Sequence, residues 1–262
     1  MPHTEPEEAI SPVLSYLDIP AWPQLPKRSF LENMYAQFSE GFPGIMVDGD
    51  RIYVDRSQDL DELLGRLYIA YLEERLDEYG VSPEYAAGLY ALLARKVGGI
   101  VKGQITGPVS FGLSVTDQNR RALLYDDVLA DALAKHLRLK ASWQERMLRE
   151  VSPNTIIFVD EPYMASFGSA FFSLSREKVV TLLEEVLGGI KGLKGVHCCA
   201  NTDWSVLLST SVDILSLDAY SYAQPLSLYP AEVKSFLERG GIIAWGIVPS
   251  NEASLDEETM KS

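Results

Sequence analysis

Gly195-Val196-His197-Cys198-Cys199-Ala200-Asn201 is the stretch from which the fold is read. It follows a Gly/Lys-rich turn, Gly188 to Lys194, and is short and mostly small or apolar, as a buried parallel strand is. Side chains alternate along a strand, so His197 and Cys199 are expected on one face and Cys198 on the other, as a small buried hydrophobe. An imidazole and a thiolate side by side begin a soft-metal site, zinc foremost.

Outward from this strand the chain alternates strands with helices. Downstream lie a helix at Trp204–Ser209, a strand at Ile214–Leu217, a helix at Pro230–Glu238 and a strand at Ile242–Ile247. Upstream, a strand at Thr155–Val159 ends in Asp160-Glu161-Pro162 and is followed by a helix at Arg176–Leu187. Before it, a strand at Ile100–Thr106 is broken by Gly107-Pro108, and a long helix runs from Asp126 to Glu150, acidic at its start and Arg-rich at its end. Such alternation builds right-handed βαβ units and a parallel sheet. The strand ends gather polar groups: Gln104 and Thr106, Asp160, His197 and Cys199, Asp218, then Pro249 and Ser250. Polar residues at the C-terminal ends of successive parallel strands mark the active face of a barrel. The expected fold is therefore α/β, a TIM (β/α)8 barrel forming one domain over residues 1–262.

The N-terminal third reads as a helix at Glu7–Leu17 and an extended piece at Ile19–Leu25. Ser29 and Glu32 have capping-box spacing ahead of a helix through Phe30, Met34 and Phe38. Asp48-Gly49 places a hairpin excursion near residues 44–55. Helices follow at Leu60–Leu72 and from Ser82-Pro83. The barrel strands number about six with Ile19–Leu25 included, whereas closure needs eight. The missing first and last strands would be neighbours, leaving a gap with two bare edges. Residues outside this chain, a second copy in a homo-oligomer or a rearranged terminus is expected to cover it.

Composition narrows the function. Apolar residues make up 47% of the 262, enough for a large core, with no uninterrupted apolar run of membrane-spanning length. A formal net charge of −14 argues against nucleic acid or an anionic membrane as partner. The N-terminus has no basic region leading into an apolar segment, and two adjacent cysteines make no ordinary disulfide. Both point to a reducing cytoplasm.

Taken in order, Gly107-Pro108, Asp160-Glu161-Pro162, His197-Cys198-Cys199, Leu215-Ser216-Leu217-Asp218 and Val248-Pro249-Ser250 resemble a known family. It is the catalytic C-terminal domain of cobalamin-independent methionine synthase, in the superfamily of uroporphyrinogen decarboxylase and the methylcobamide:coenzyme M methyltransferases. The chain looks like the stand-alone core form. The resemblance implies a TIM barrel, a zinc ion and methyl transfer to a thiol, homocysteine above all. The donor would be a methyl-folate, a methyl-corrinoid protein or methyl-coenzyme M. Zinc would deprotonate and position the substrate sulfur. By this likeness His197 and Cys199 are zinc ligands, with Asp218 standing where the family has glutamate. Asp160 would hold the amino group of the substrate, and Gln104 and Ser250 are further candidates for substrate contact. Asn251 and Glu252 would line the pocket, whereas His136 reads as a packing or surface residue.

Two departures stand out. The family's second zinc cysteine, near the C-terminus, is absent, and so is the Gly-Ser segment ahead of the match at Pro2 to Thr4. Two other readings therefore remain open. One is a metal-free, uroporphyrinogen decarboxylase-like enzyme, which calls for a basic cluster that the strand ends do not display. The other is an incomplete barrel serving as a non-catalytic binding module.

Overall fold

The computed structural model describes residues 1–169 and 173–248. The chain enters through α1 (Pro6–Tyr16), where Pro6 opens the helix and Glu7 and Glu8 meet its positive end. An extended piece follows, in which Ala21 bridges Lys102 in parallel and the Pro20 carbonyl accepts from the Lys102 N–H at 2.9 Å. β1 (Ile45–Asp48) and β2 (Arg51–Val54) form the expected hairpin, with Gly49 at φ +57° in the turn. Next come α2 (Leu60–Leu72), capped by Asp59, and α3 (Ala87–Leu93).

β3 (Ile100–Thr106) leads into the short α4 (Pro108–Ser114) and β4 (Thr116–Asp117). β4 pairs in parallel with β2, so the hairpin belongs to a separate three-stranded sheet in the order β1-β2-β4. The long α5 (Asp127–Arg149) has Asp126 as its cap and Arg146 and Arg149 in its last turn. Then follow β5 (Asn154–Asp160), α6 (Arg176–Leu187), β6 (Leu193–Cys198), α7 (Trp204–Leu208) and β7 (Ile214–Leu217). α8 (Ala219–Leu226), α9 (Pro230–Glu238) and β8 (Ile242–Trp245) complete the described chain.

The main sheet runs β3-β5-β6-β7-β8, every pair parallel and the strands in chain order, with β4 set aside in the other sheet. Its two faces differ. Val101, Ile105, Ile157, Val159, Val196, Cys198, Leu215 and Leu217 sink into the principal core beneath the helices. Ile156, Phe158 and Ile214, with Ile100 and Ala244, form a smaller cluster on the opposite face. This is an α/β fold with a parallel sheet, consistent with a TIM-like one. Among the described residues the sheet has five strands with the extended piece at its β3 edge, and the barrel expected from the sequence is not seen to close.

Several local expectations are corrected. The helix after Ser29 is one 3-10 turn, Phe30–Glu32, because Glu32 turns away from Ser29. Its carboxylate accepts instead from the Leu25 N–H at 3.2 Å and from Arg28 at 2.9 Å. Ser82-Pro83 lies in a turn, and α3 starts later, where Gly88 lets the backbone press on the Pro23 carbonyl with no room for a Cβ. β6 stops at Cys198, so strand alternation does not extend to Cys199. α4 and α8 are additional, the latter kinked at Tyr222 with Pro225 inside it. Among the described residues no helix is long and apolar enough to cross a membrane.

Candidate active site

Three adjacent strand ends are laced together by backbone. The Gly107 N–H donates to the Asp160 carbonyl and the Glu161 N–H to the His197 carbonyl, both at 2.8 Å. From there the fully buried Glu161 side chain reaches the start of α4. Its Oε1 accepts from the Val109 N–H at 2.9 Å, and its Oε2 from the Ser110 N–H at 2.8 Å and the Ser110 hydroxyl at 2.6 Å. Burial pushes this carboxyl up to about 7, against the pull of those donors. Gly107 has no alternative here, since a Cβ would enter the Glu161 carboxylate. Gly107-Pro108 and Asp160-Glu161-Pro162, separate in sequence, are thus one device: the second caps the helix that the first begins.

On the sheet face opposite the principal core, register places Thr106 opposite Asp160, Asp160 opposite His197 and His197 opposite Ser216. His197 Nδ1 lies 3.1 Å from the Ser216 hydroxyl, and no described group bonds its Nε2. Burial first, then Lys102, pushes the imidazole below its ordinary value, so it is neutral near pH 7. Nearby Asp218 pulls the other way. The Asp160 carboxylate has no hydrogen-bond partner among the described residues. Burial lifts it to about 6, with Lys102 opposing.

Lys102 is the residue that sequence reasoning passed over. It rises from the middle of β3 with its ammonium 4.8 Å above the Phe158 ring centre and 3.5 Å from Gln104 Oε1. Burial lowers its pKa, and Asp160 raises it. A signal existed: Lys102, Gln104 and Thr106 alternate along β3, an unusual run of polar positions down one face of a parallel strand.

The other expected residues take varied places. Gln104 is buried and its Nε2 donates to the Trp22 carbonyl at 3.2 Å, which fastens the extended piece to β3. Cys198 is fully buried, its Sγ is 3.3 Å from the Ala200 carbonyl, and burial pushes the thiol up to about 11. Cys199 lies beyond the strand and is exposed, near enough to Tyr35 to affect its ionisation. Asp218 caps α8 by accepting from the Ser221 N–H at 3.4 Å. Ser250, like Pro249, Asn251 and Glu252, lies outside the described residues.

Zinc takes three protein ligands in a catalytic centre. Among the described residues no group of three or more His, Cys, Asp or Glu side chains is placed to hold a metal ion. As arranged, His197, Cys199 and Asp218 do not fit a zinc centre. What this face of the sheet does carry is a neutral imidazole with one nitrogen engaged, a carboxyl lifted to about 6, and an ammonium. Such a set exchanges protons and binds ligands bearing opposite charges.

No family model matches the chain, and no curated protein matches it. Solved structures do. A methyltransferase from Methanosarcina mazei is 15% identical over 98% of this chain and 87% of its own, with a TM-score of 0.52. A B12-independent methionine synthase from Shewanella sp. W3-18-1, in complex with selenomethionine, is 18% identical with a TM-score of 0.37. That alignment covers 62% of this chain and 64% of the synthase chain. The likeness to the M. mazei protein is one of fold.

Proposed function

We propose that this chain is a methyltransferase that moves a methyl group to a small thiol, homocysteine being the favoured acceptor, seated on the sheet face that carries Phe158. The observation that carries the reading is the row Asp160, His197, Ser216 across three consecutive strand ends, where parallel α/β folds place their chemistry. The methyltransferase of like fold supports the reaction class, and the ordered motifs support the acceptor. In this reading Asp160 takes the acceptor's ammonium. A thiol becomes a useful nucleophile only as its proton leaves, and His197 Nε2, with Nδ1 engaged by Ser216, is the acceptor available for that proton. No step is routed through zinc, because the described donors do not fit it.

The test mixes homocysteine with a methyl-folate, a methyl-corrinoid protein or methyl-coenzyme M, with and without added zinc, and measures methionine by mass spectrometry. Methionine should form with one donor, and His197→Ala should lower the rate by about 100-fold or more at unchanged fold. Protein that binds no homocysteine and forms no methionine with any donor, zinc included, would overturn the reading.

A further inference from the structure

We infer that Lys102 is a carboxylate anchor on this sheet face, so that the ligand seated there carries a free carboxylate and, with Asp160 nearby, is an α-amino acid. This rests on the acceptor occupying that face, and it assigns a residue outside the motifs.

Packing against Phe158 holds the lysine in place. Gly195 lies opposite Phe158 on the adjacent strand, and a Cβ there would stand 2.7 Å from the ring. The Phe158 ring therefore lies flat on the Gly195 backbone, and the Lys102 ammonium sits 4.8 Å above the ring centre. A glycine, a phenyl ring and an ammonium form one stack rising from the apolar floor of Ile156 and Ile214.

The charge is also unanswered. Among the described residues no carboxylate oxygen lies within 4.0 Å of Lys102 Nζ, and its sole hydrogen-bond acceptor is Gln104 Oε1, at the long distance of 3.5 Å. Asp160 acts on it through space only. Desolvating an ammonium without a counter-ion is costly, and leaving a carboxylate without a donor is costly too. Here both occur on one sheet face, too far apart to pair. A zwitterion satisfies both at once, its carboxylate against Lys102 and its ammonium against Asp160, with its side chain left to reach His197.

Titration calorimetry on the unaltered protein, Lys102→Met and Lys102→Arg tests this with four ligands. They are homocysteine, 4-mercaptobutanoate (no amino group), 3-aminopropane-1-thiol (no carboxylate) and norvaline (no thiol). In the unaltered protein, loss of the carboxylate should weaken binding roughly 10- to 100-fold, the range of one charge-assisted hydrogen bond. K102M should weaken homocysteine and norvaline by the same factor and leave 3-aminopropane-1-thiol unchanged, while K102R recovers part. The unaltered protein carries the test if K102M does not fold. Equal affinity for homocysteine and 3-aminopropane-1-thiol would overturn the anchor and leave methyl transfer standing. Lys102-dependent binding of norvaline, with no methylation of any thiol, would keep the anchor and remove methyl transfer. Absence of binding by all four would overturn both.

Discussion

Asp160 and Glu161 are chemically near-identical neighbours with opposite assignments. Glu161 meets three donors at the start of α4, whereas the Asp160 carboxylate meets none. Their order in sequence does not say which is which, because alternation places them on opposite faces and only the partner on each face decides. That partner, α4, has seven residues, too few for periodicity to reveal. His136 shows the same dependence on context. It is fully buried in α5, with Nε2 2.9 Å from the Phe38 carbonyl, Nδ1 without a partner, and Phe42 and Tyr79 edge-on to the ring. Burial and the neighbouring Lys140 hold its imidazole well below the ordinary 6.5. Below pH 6.5 the unfolded chain therefore takes up a proton that the native one refuses, and stability falls as pH falls. The loss from this group is at most about 1.4 kcal/mol per pH unit. His136→Phe removes that contribution, so its urea midpoint should decline less between pH 7 and 5 than that of the unaltered protein. Parallel declines would show that this imidazole does not set the acid limb.

Among elements, α5 serves as a substitute for sheet. The extended piece beside β3 pairs through Lys102 and Pro20, and two residues further on Gln144 takes over. Its side-chain amide accepts from the Gln104 N–H and donates to the Gln104 carbonyl, each at 2.9 Å. Its Oε1 also accepts from Trp22 Nε1 at 3.0 Å. Gly103 makes this approach possible, since a Cβ would strike Gln144. Gln144→Leu keeps the volume and strands a buried N–H, a carbonyl and an indole N–H, at about 1–3 kcal/mol per unmet group. We expect a loss of about 3 kcal/mol, seen as a lower urea midpoint at an unchanged slope. A loss below about 1 kcal/mol would mean that water replaces the amide. None of this is visible in sequence, although α6, β7 and α9 were legible to the residue. Those elements carry burial patterns and boundary residues of their own. Ser29 and Glu32 had the right spacing for a cap, but the nearby Leu25 N–H, left unpaired by the extended piece, took the carboxylate.

At the scale of the molecule, the six-strand count read from alternation corresponds, among the described residues, to five strands and a bridge, with β8 and the extended piece at the two edges. Parallel sheets are ordinarily covered on both faces. Here Ile242 and Trp245 of β8 are 50% and 51% exposed, and Ile247 and Val248 beyond it 71% and 74%. An apolar strand edge of this kind invites pairing with another chain. The net charge of −14 opposes that, because two copies repel each other before their edges meet. Salt weakens the repulsion, shortening its range from about 10 Å at 0.1 M to about 3 Å at 1 M, and leaves apolar attraction in place. Self-association should therefore rise with salt, the reverse of an assembly held by ion pairs. Sedimentation velocity at about 0.1 M and about 1 M sodium chloride measures it, and Trp245→Lys, which puts a charge on the edge, should hold the protein monomeric at both. A monomer indifferent to salt would mean that the edge is already covered. Association that W245K leaves unchanged would place the contact elsewhere on the molecule.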